Sequence, residues 1–256
     1  MGPVFTIANQ KGGVGKTTTC INLAASLAAL NKRVLIIDFD PQGNATSGLG
    51  VEKVKNQRGS YHVLINKVAL ADVVVETECE DLYLIPASMD LAGAEVELVG
   101  VDKREYVLNQ AMAAYTGEPF DYVLIDCPPA LNLLTINALT ASDHLLITLQ
   151  AEFYALEGLT QLIDTVRRIK TSLNPMLKMH GILLTMVGHN NLARQVEKEV
   201  RDYFGQQVYT NMIPRNIRLS EAPSFGVPVM YHDIHSSGAQ AYLKVAQELM
   251  HRIDVG

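Results

Sequence analysis

The sequence predicts an α/β fold in which a mostly parallel β-sheet is flanked by helices on both faces. Apolar runs of strand length alternate with helical patterns along the chain. The strand runs are continuously apolar, as expected where both faces of a sheet are buried. With 256 residues, 48% of them hydrophobic, the chain can bury one substantial core, and we expect a single domain over 1–256.

The elements are predicted in chain order from these runs. Continuous apolar runs predict strands at 4–8, 33–38, 82–86, 122–126, 144–149 and 179–186, with a short one near Val208. Helical spacing predicts helices at 16–30, 104–116, 131–140, 156–172, 192–204 and 238–253. No stretch is rich in proline, glycine and serine together, so we expect no linker.

A glycine-rich loop follows the first predicted strand and leads into the first helix. It reads Lys11-Gly12-Gly13-Val14-Gly15-Lys16-Thr17-Thr18. Glycines let backbone N–H groups turn toward a polyphosphate, and the helix N-terminus adds a positive dipole end. Lys16 is placed to reach the β- and γ-phosphates and Thr17 to ligate Mg²⁺. We therefore expect the chain to bind a nucleoside triphosphate.

This loop departs from the general pattern G-x-x-x-x-G-K-[ST]. Gln10 stands where the first glycine would be, and a second lysine, Lys11, opens the loop. Its own subunit does not need this second lysine to hold the phosphates. A lysine so close to them therefore suggests a positive charge donated to another active site.

Carboxylates stand at the ends of two further predicted strands. Asp38 ends the run 33–38, with Asp40 two residues later, and Asp126 ends the run 122–126. Ligands of open α/β sheets sit beyond the carboxyl ends of the strands, so these side chains are expected near the phosphates. Asp126 is placed to hold Mg²⁺, through a water. One such aspartate alone is more often a turn or helix cap, but three motifs in this order favour a nucleotide site.

Together these motifs resemble those of the ParA/Soj family of DNA-partitioning ATPases. The loop has the form of that family's deviant Walker A motif, and four later segments extend the resemblance. They are Asp38-Phe39-Asp40-Pro41-Gln42-Gly43-Asn44, Asp126-Cys127-Pro128-Pro129, Glu152-Phe153-Tyr154-Ala155-Leu156-Glu157-Gly158 and Ile213-Pro214-Arg215-Asn216-Ile217-Arg218-Leu219-Ser220-Glu221-Ala222-Pro223. The match covers nearly the whole chain and is weakest over 52–117.

The resemblance implies a role for each site residue. Lys11, Lys16 and Asp40 would be catalytic, with Lys11 reaching the ATP of a partner subunit and Asp40 orienting the attacking water. Thr17, Asp38 and Asp126 would lie at the metal. The nucleotide would contact Lys11, Gly12, Gly13, Val14, Gly15, Lys16, Thr17, Thr18, Pro214, Arg215 and Asn216. Among these, Thr18 would lie at the α-phosphate, and Pro214 and Asn216 fall where the family reads adenine.

The resemblance further implies an ATPase that uses ATP and Mg²⁺ and is slow without a partner. ATP would join two subunits into a homodimer that binds double-stranded DNA without sequence preference, and a ParB-like protein would stimulate hydrolysis and release. The alternative is a relative of MinD or McdA that positions a protein assembly. We expect a cytoplasmic, nucleoid-associated bacterial protein that does not bind membranes, because the segment 249–256 is short and not basic overall.

The charge distribution bears on DNA binding. The net charge is −6, but the region 151–220 holds nine lysines and arginines against six acids. From the charge pattern alone, an ordinary solvent-exposed helix surface is a simpler interpretation than a DNA-binding face. With the resemblance, the DNA-contact candidates become Arg194, Lys198, Arg201, Arg215 and Arg218. Many relatives carry arginine where His189 stands, and because histidine is largely neutral near pH 7, we expect weaker or more pH-dependent DNA binding.

Two other functions share the loop. An iron–sulfur carrier would need a suitable pair of dimer-facing cysteines, whereas Cys20, Cys79 and Cys127 lack Cys-x-x-Cys spacing. A ligase or synthetase of the same fold would need an organic-substrate site, for which we identify no residues.

Overall fold

The computed structural model describes residues 1–52, 57–152, 155–188 and 190–255, with the backbone alone for 155–157. Seven strands in this part form one sheet. They are β1 (Val4–Ala8), β2 (Val34–Asp38), β3 (Val75–Glu76), β4 (Leu82–Ile85), β5 (Tyr122–Asp126), β6 (His144–Gln150) and β7 (Lys178–Thr185). Their order is β3-β4-β2-β5-β1-β6-β7, and every pair is parallel except β3 with β4.

Helices cover both faces of the sheet. They are α1 (Lys16–Ala28), α2 (Asn44–Gly48), α3 (Ser60–Leu64), α4 (Ala94–Glu97), α5 (Val107–Ala113), α6 (Leu133–Thr140), α7 (Ala155–Ser172), α8 (Asn191–Phe204), α9 (Ile217–Glu221), α10 (Val229–His232) and α11 (Ser237–Asp254). Successive strand side chains point to opposite faces: Ile36 packs with α1 and α11, and Ile37 with α5 and α6. This two-sided burial is why the strands are apolar throughout and confirms the predicted α/β class.

The carboxyl ends of the central strands meet at one place. In the register of β5, Asp126 pairs with Asp38 of β2 on one side and with Ile7 of β1 on the other. The glycine loop between β1 and α1 therefore begins beside both strand-ending aspartates. In the described part of the chain, no helix combines the length and apolar character needed to cross a bilayer.

The strand predicted near Val208 is wrong. Val208 forms one isolated parallel bridge with Ile182 of β7. The backbone beyond it is bonded by side chains of α11: Arg252 donates to the Val208 carbonyl, and Glu248 accepts from the N–H groups of Thr210 and Asn211. A ladder cannot extend because these groups are already paired.

Several predicted bounds also change. The helix predicted at 104–116 is a 3₁₀ turn, Arg104–Tyr106, followed by α5, and α6 begins at Leu133 because the Asn132 side chain caps it. The two-residue antiparallel strand β3 and the short helices of 44–97 and 217–232 are absent from the sequence prediction. Elements of two to five residues carry too few periodic positions to be recognised.

Candidate nucleotide site

The glycine loop is shaped for close approach of a ligand to its backbone. Gly13 and Gly15 have φ angles of 75° and 85°, in the left-handed region that other residues rarely adopt. A Cβ at Gly13 would meet no atom within 4 Å, so conformation and not crowding requires glycine there. The hydroxyl of Thr185, at the end of β7, donates to the Val14 carbonyl at 2.8 Å and fixes the loop from the other side.

Lys16 is buried at the start of α1 and lies under the loop. Its Nζ donates to the Lys11 carbonyl at 3.1 Å, and only 7% of the residue is exposed. Burial lowers the pKa of Lys16, while the negative charges of Asp126 and Asp40 oppose that change. A buried ammonium, inward-facing amides and a helix N-terminus together form a site for a polyphosphate.

Lys11 lies on the outside of the loop. Its backbone N–H is held by the Asn9 side chain at 2.9 Å, while its side chain is 52% exposed. The Lys11 ammonium pairs with Glu152 of the same subunit at 2.7 Å. Glu152 stands two residues after the end of β6 and also accepts a hydrogen bond from Gln150. The sequence analysis assigns Glu152 no role, and Phe153 and Tyr154 of its motif lie outside the described residues.

Asp126 differs from the other carboxylates of the site in the pairing of its oxygens. Both of its carboxylate oxygens are buried without a hydrogen-bond partner in the described residues. Burial raises the pKa of Asp126 well above its ordinary value, and the nearby Asp38 charge adds to the rise. The Thr17 hydroxyl and the Lys16 ammonium lie close enough to oppose it. A buried carboxylate of this kind suits a cation, so the residues present fit Mg²⁺.

Asp38, in contrast, is already paired. Its Oδ2 accepts from the backbone N–H and the hydroxyl of Thr46, at 2.8 and 2.6 Å. Its Oδ1 accepts from the Asp40 N–H at 3.3 Å. Burial raises the pKa of Asp38 to about 6, with the Thr46 bonds opposing the rise. Asp38 thus joins the end of β2 to α2 and orients the turn that carries Asp40.

Asp40 lies at that turn and is 6% exposed. Its Oδ1 accepts from the Gln42 N–H at 2.9 Å, which leaves the other oxygen for a ligand or a water. Sequence reasoning missed Thr46, which stands two residues beyond the quoted motif. A threonine at the start of a short helix gives no signal of its own, because it is a common capping residue.

A cavity of about 220 Å³ lies beside the loop and collects the residues predicted to contact the base. Gly15 lines it from the glycine loop and Thr18 from α1, and Pro214, Arg215 and Asn216 line it from the segment before α9. The Asn216 amide donates to Ser237 at 2.7 Å and caps α9 by accepting from the Arg218 N–H. One N–H and one lone pair of this amide remain for a ligand.

The predicted DNA-contact residues fall on two short stretches. Arg194, Lys198 and Arg201 are spaced by four and three residues along α8, which places them on one face. Arg201 pairs with Glu197 at 2.9 Å. In the second stretch Arg215 is exposed, and Arg218 pairs with Glu221 at 2.8 Å and with Asp233 at 3.4 Å. His189 lies outside the described residues.

Known proteins resemble this chain over nearly its full length. The AAA domain family matches residues 2–179. The chromosome partitioning protein ParA of Caulobacter vibrioides is 52% identical over 251 residues, covering 97% of this chain and 94% of that protein. The sporulation initiation inhibitor protein Soj of Bacillus subtilis is 52% identical over 250 residues, covering 97% and 98%. The chain belongs to the ParA/Soj family of partitioning ATPases.

A solved structure agrees with the fold of this ParA/Soj chain. Cobyrinic acid a,c-diamide synthase from Mycobacterium smegmatis, with bound ATP analogue and magnesium, superposes with a TM-score of 0.86 at 36% identity. The match covers 99% of this chain and 96% of the synthase. The prediction of an ATPase of the ParA/Soj type is confirmed by the family membership.

Proposed function

We propose that this chain is an ATP-dependent switch for chromosome or plasmid segregation, built as a single ATPase domain over 1–256. ATP and Mg²⁺ are its cofactors, as predicted, and the structure of the related synthase holds an ATP analogue and magnesium. The observation that carries the proposal is the arrangement of the loop: Lys16 buried beneath it, Lys11 exposed on it, and the unpaired Asp126 carboxylate beside it.

Each loop residue then has a task. The backbone N–H groups of 12–15 and the Lys16 ammonium bind the phosphates, and Thr18 lies at the α-phosphate. Thr17 and Asp126 hold the metal, with Asp38 supporting them from β2. When bound, Mg²⁺ neutralises charge on the terminal phosphates. Pro214, Arg215 and Asn216 enclose the base.

Two residues govern the switch. Asp40 orients the water that attacks the terminal phosphate: the Gln42 N–H holds its Oδ1, and its Oδ2 can accept from that water. Lys11 leaves Glu152 and pairs with the nucleotide of a partner subunit, so that ATP joins two copies face to face. Its exposed position on the loop supports this role.

The ATP-bound dimer binds double-stranded DNA without sequence preference. The basic side chains of α8, of which Arg194 and Lys198 are exposed, and those of 215–218 supply the contacts to DNA phosphates, and a dimer presents two such sets. A ParB-like protein stimulates hydrolysis and so releases the DNA, placing the protein on the nucleoid. The second candidate function, positioning of a protein assembly, uses the same nucleotide cycle.

The test is binding to non-specific duplex DNA with ATP, with ADP and without nucleotide, at low and at moderate salt. We expect affinity that requires ATP and falls steeply with salt, because phosphate contacts release counterions. Absence of DNA binding in all three states would overturn the DNA-partitioning function and leave the ATPase that positions proteins.

A further inference from the structure

Residues 89–102, which follow β4, carry apolar side chains both toward the protein interior and, among acidic residues, toward solvent. We refer to them as the 89–102 surface. Within this segment, Leu91 and Leu98 point inward and are buried in the core. Met89, Val96 and Val99 are 68%, 76% and 65% exposed. Single exposed aliphatic residues are common, but several in one short segment mark an interaction site.

The 89–102 surface also forms one wall of a cavity of about 670 Å³. Leu98 and Val101 line the cavity from this side, and Leu64, Val68 and Ala111 line it from α3, the loop after α3, and α5. Pockets that bind ligands in proteins typically measure about 300–1,000 Å³. The cavity is therefore large enough to accept apolar side chains of a binding partner.

The charge of this surface restricts what can cover it. Residues 87–102 contain four carboxylates, Asp90, Glu95, Glu97 and Asp102. They outnumber the basic groups beside them, which are Lys67 on the cavity wall, Lys103, and Arg104, which pairs with Glu105. A second copy that met this surface symmetrically would place like charges against one another. A segment that carries both aliphatic and basic side chains complements the surface in polarity and in charge.

A chain of hydrogen bonds links the 89–102 surface to the nucleotide site. The backbone N–H of Ala87, two residues before the surface, donates to the Thr46 hydroxyl at 3.0 Å. That hydroxyl donates to Asp38 at 2.6 Å, and Asp38 accepts from the Asp40 N–H. All four residues are buried. A displacement of the surface therefore acts on the turn that carries Asp40.

We propose that the 89–102 surface binds a basic, amphipathic peptide segment of the protein that stimulates hydrolysis, and that Thr46 transmits this binding to Asp40. The inference rests on the proposed function, and it adds where the partner docks and how its binding reaches the site. Apolar side chains of the segment cover Val96 and Val99 and enter the cavity. Its lysines or arginines pair with the carboxylates around them.

The docking test measures stimulation of ATP hydrolysis by the purified ParB-like protein of the same organism, titrated against three forms of the chain. These are the wild type, the variant Val96→Ser with Val99→Ser, and the matched control Met176→Ser with Val255→Ser, which removes two equally exposed apolar residues elsewhere. We expect unchanged basal rates throughout. The partner concentration for half-maximal stimulation should rise about tenfold in the Val96 and Val99 variant alone.

The outcomes separate this inference from the proposed function. A wild-type chain that the partner does not stimulate would overturn the proposed function and the docking site with it. Stimulation of the Val96 and Val99 variant at wild-type partner concentrations would overturn the docking site alone. Loss of ATP-dependent dimerisation in that variant, measured by sedimentation, would also overturn the docking site, because the surface would then contact a second copy.

Thr46 is a positioning residue in this scheme, and its test separates binding from stimulation. We expect Thr46→Val to bind the partner with unchanged affinity but to lose most of the stimulation, because the valine lacks the hydroxyl. Thr46→Ser, which keeps the hydroxyl, should regain it. Thermal unfolding establishes that both variants are folded. Full stimulation of Thr46→Val, or equal losses in the valine and serine variants, would overturn the transmission through Thr46.

Discussion

Lys11 and Glu152 form an ion pair within one subunit, with 2.7 Å between Nζ and Oε2. The two residues are separated by 141 positions in the chain and meet because β1 and β6 are neighbours in the sheet. Any role of Lys11 at the nucleotide of a partner subunit requires that this pair first break. Glu152 therefore competes with the partner's nucleotide for the same ammonium group.

Glu152→Gln should favour the ATP-bound dimer. Both side chains of the pair are about half exposed, so its loss lowers the free energy needed to release Lys11 by about 1 kcal/mol or less. The ATP concentration for half-maximal dimerisation should therefore fall by up to about fivefold. Light scattering across an ATP titration measures this. Glu118→Gln, which removes the exposed partner of Arg33, is the matched control. An unchanged or higher ATP requirement in Glu152→Gln would contradict the competition.

Lys16→Ala should abolish nucleotide binding. The buried ammonium supplies charge-assisted bonds to phosphate that no neighbour replaces, so we expect about a hundredfold loss of affinity or more. Titration with a fluorescent ATP analogue measures the change. Lys11→Ala, in contrast, should bind nucleotide as a monomer and fail to dimerise. Equal losses of nucleotide affinity in the two variants would mean that the lysines do not have separate tasks.

Asp40→Ala should trap the ATP-bound dimer. Without a carboxylate to orient the water, hydrolysis should fall by about a hundredfold while ATP binding persists. Asp40→Asn keeps an oxygen for the Gln42 N–H and should behave in the same way, since only the charge is lost. Sedimentation in the presence of ATP reads the dimer, and phosphate release reads the rate. An Asp40→Ala protein that remains monomeric with ATP would remove Asp40 from the hydrolytic role.

The sequence predicts the loop and the strand-ending aspartates because each is encoded by adjacent residues. Gly13, Gly15 and Lys16 stand within four positions, so their geometry follows from the strand and helix on either side. Thr46 and Glu152 could not be assigned in this way. Their partners are chosen by the packing of α2 against β2 and of β6 against β1, which depends on the sheet order.

The central strands were predictable for the same local reason, whereas the segment around Val208 was not. Val208 and Tyr209 are as buried as the residues of a strand, but Glu248 and Arg252 take the backbone groups that a ladder would need. That contact joins residues about 40 positions apart through two charged side chains on α11. Periodicity carries no information on such a contact.

Arg215→Ala should weaken DNA binding equally on all sequences. Each lost phosphate contact reduces the dependence of log affinity on log salt by about 1. Because Arg215 also lines the nucleotide cavity, ATP affinity is measured on the same variant. Lys198→Ala, on α8 and outside the cavity lining, should reduce the salt dependence without that complication, and Lys170→Ala on α7 serves as the control. An unchanged salt dependence in both Arg215→Ala and Lys198→Ala would place the DNA elsewhere.

The free energy of unfolding should fall in mild acid because His180 is largely buried in its neutral form. Burial, together with the charges of His144 and Arg252, lowers the pKa of His180 to about 3, while Glu248 opposes the change. The unfolded chain binds a proton near pH 6.5 and the folded chain does not, so stability is lost as pH falls below that value. From pH 7 to about 5 the loss from this group is about 2 kcal/mol. In His180→Asn the amide can keep a hydrogen bond to the Tyr209 hydroxyl in place of Nδ1, and denaturant titrations should show a smaller acid loss. An equal loss in both proteins would contradict this origin.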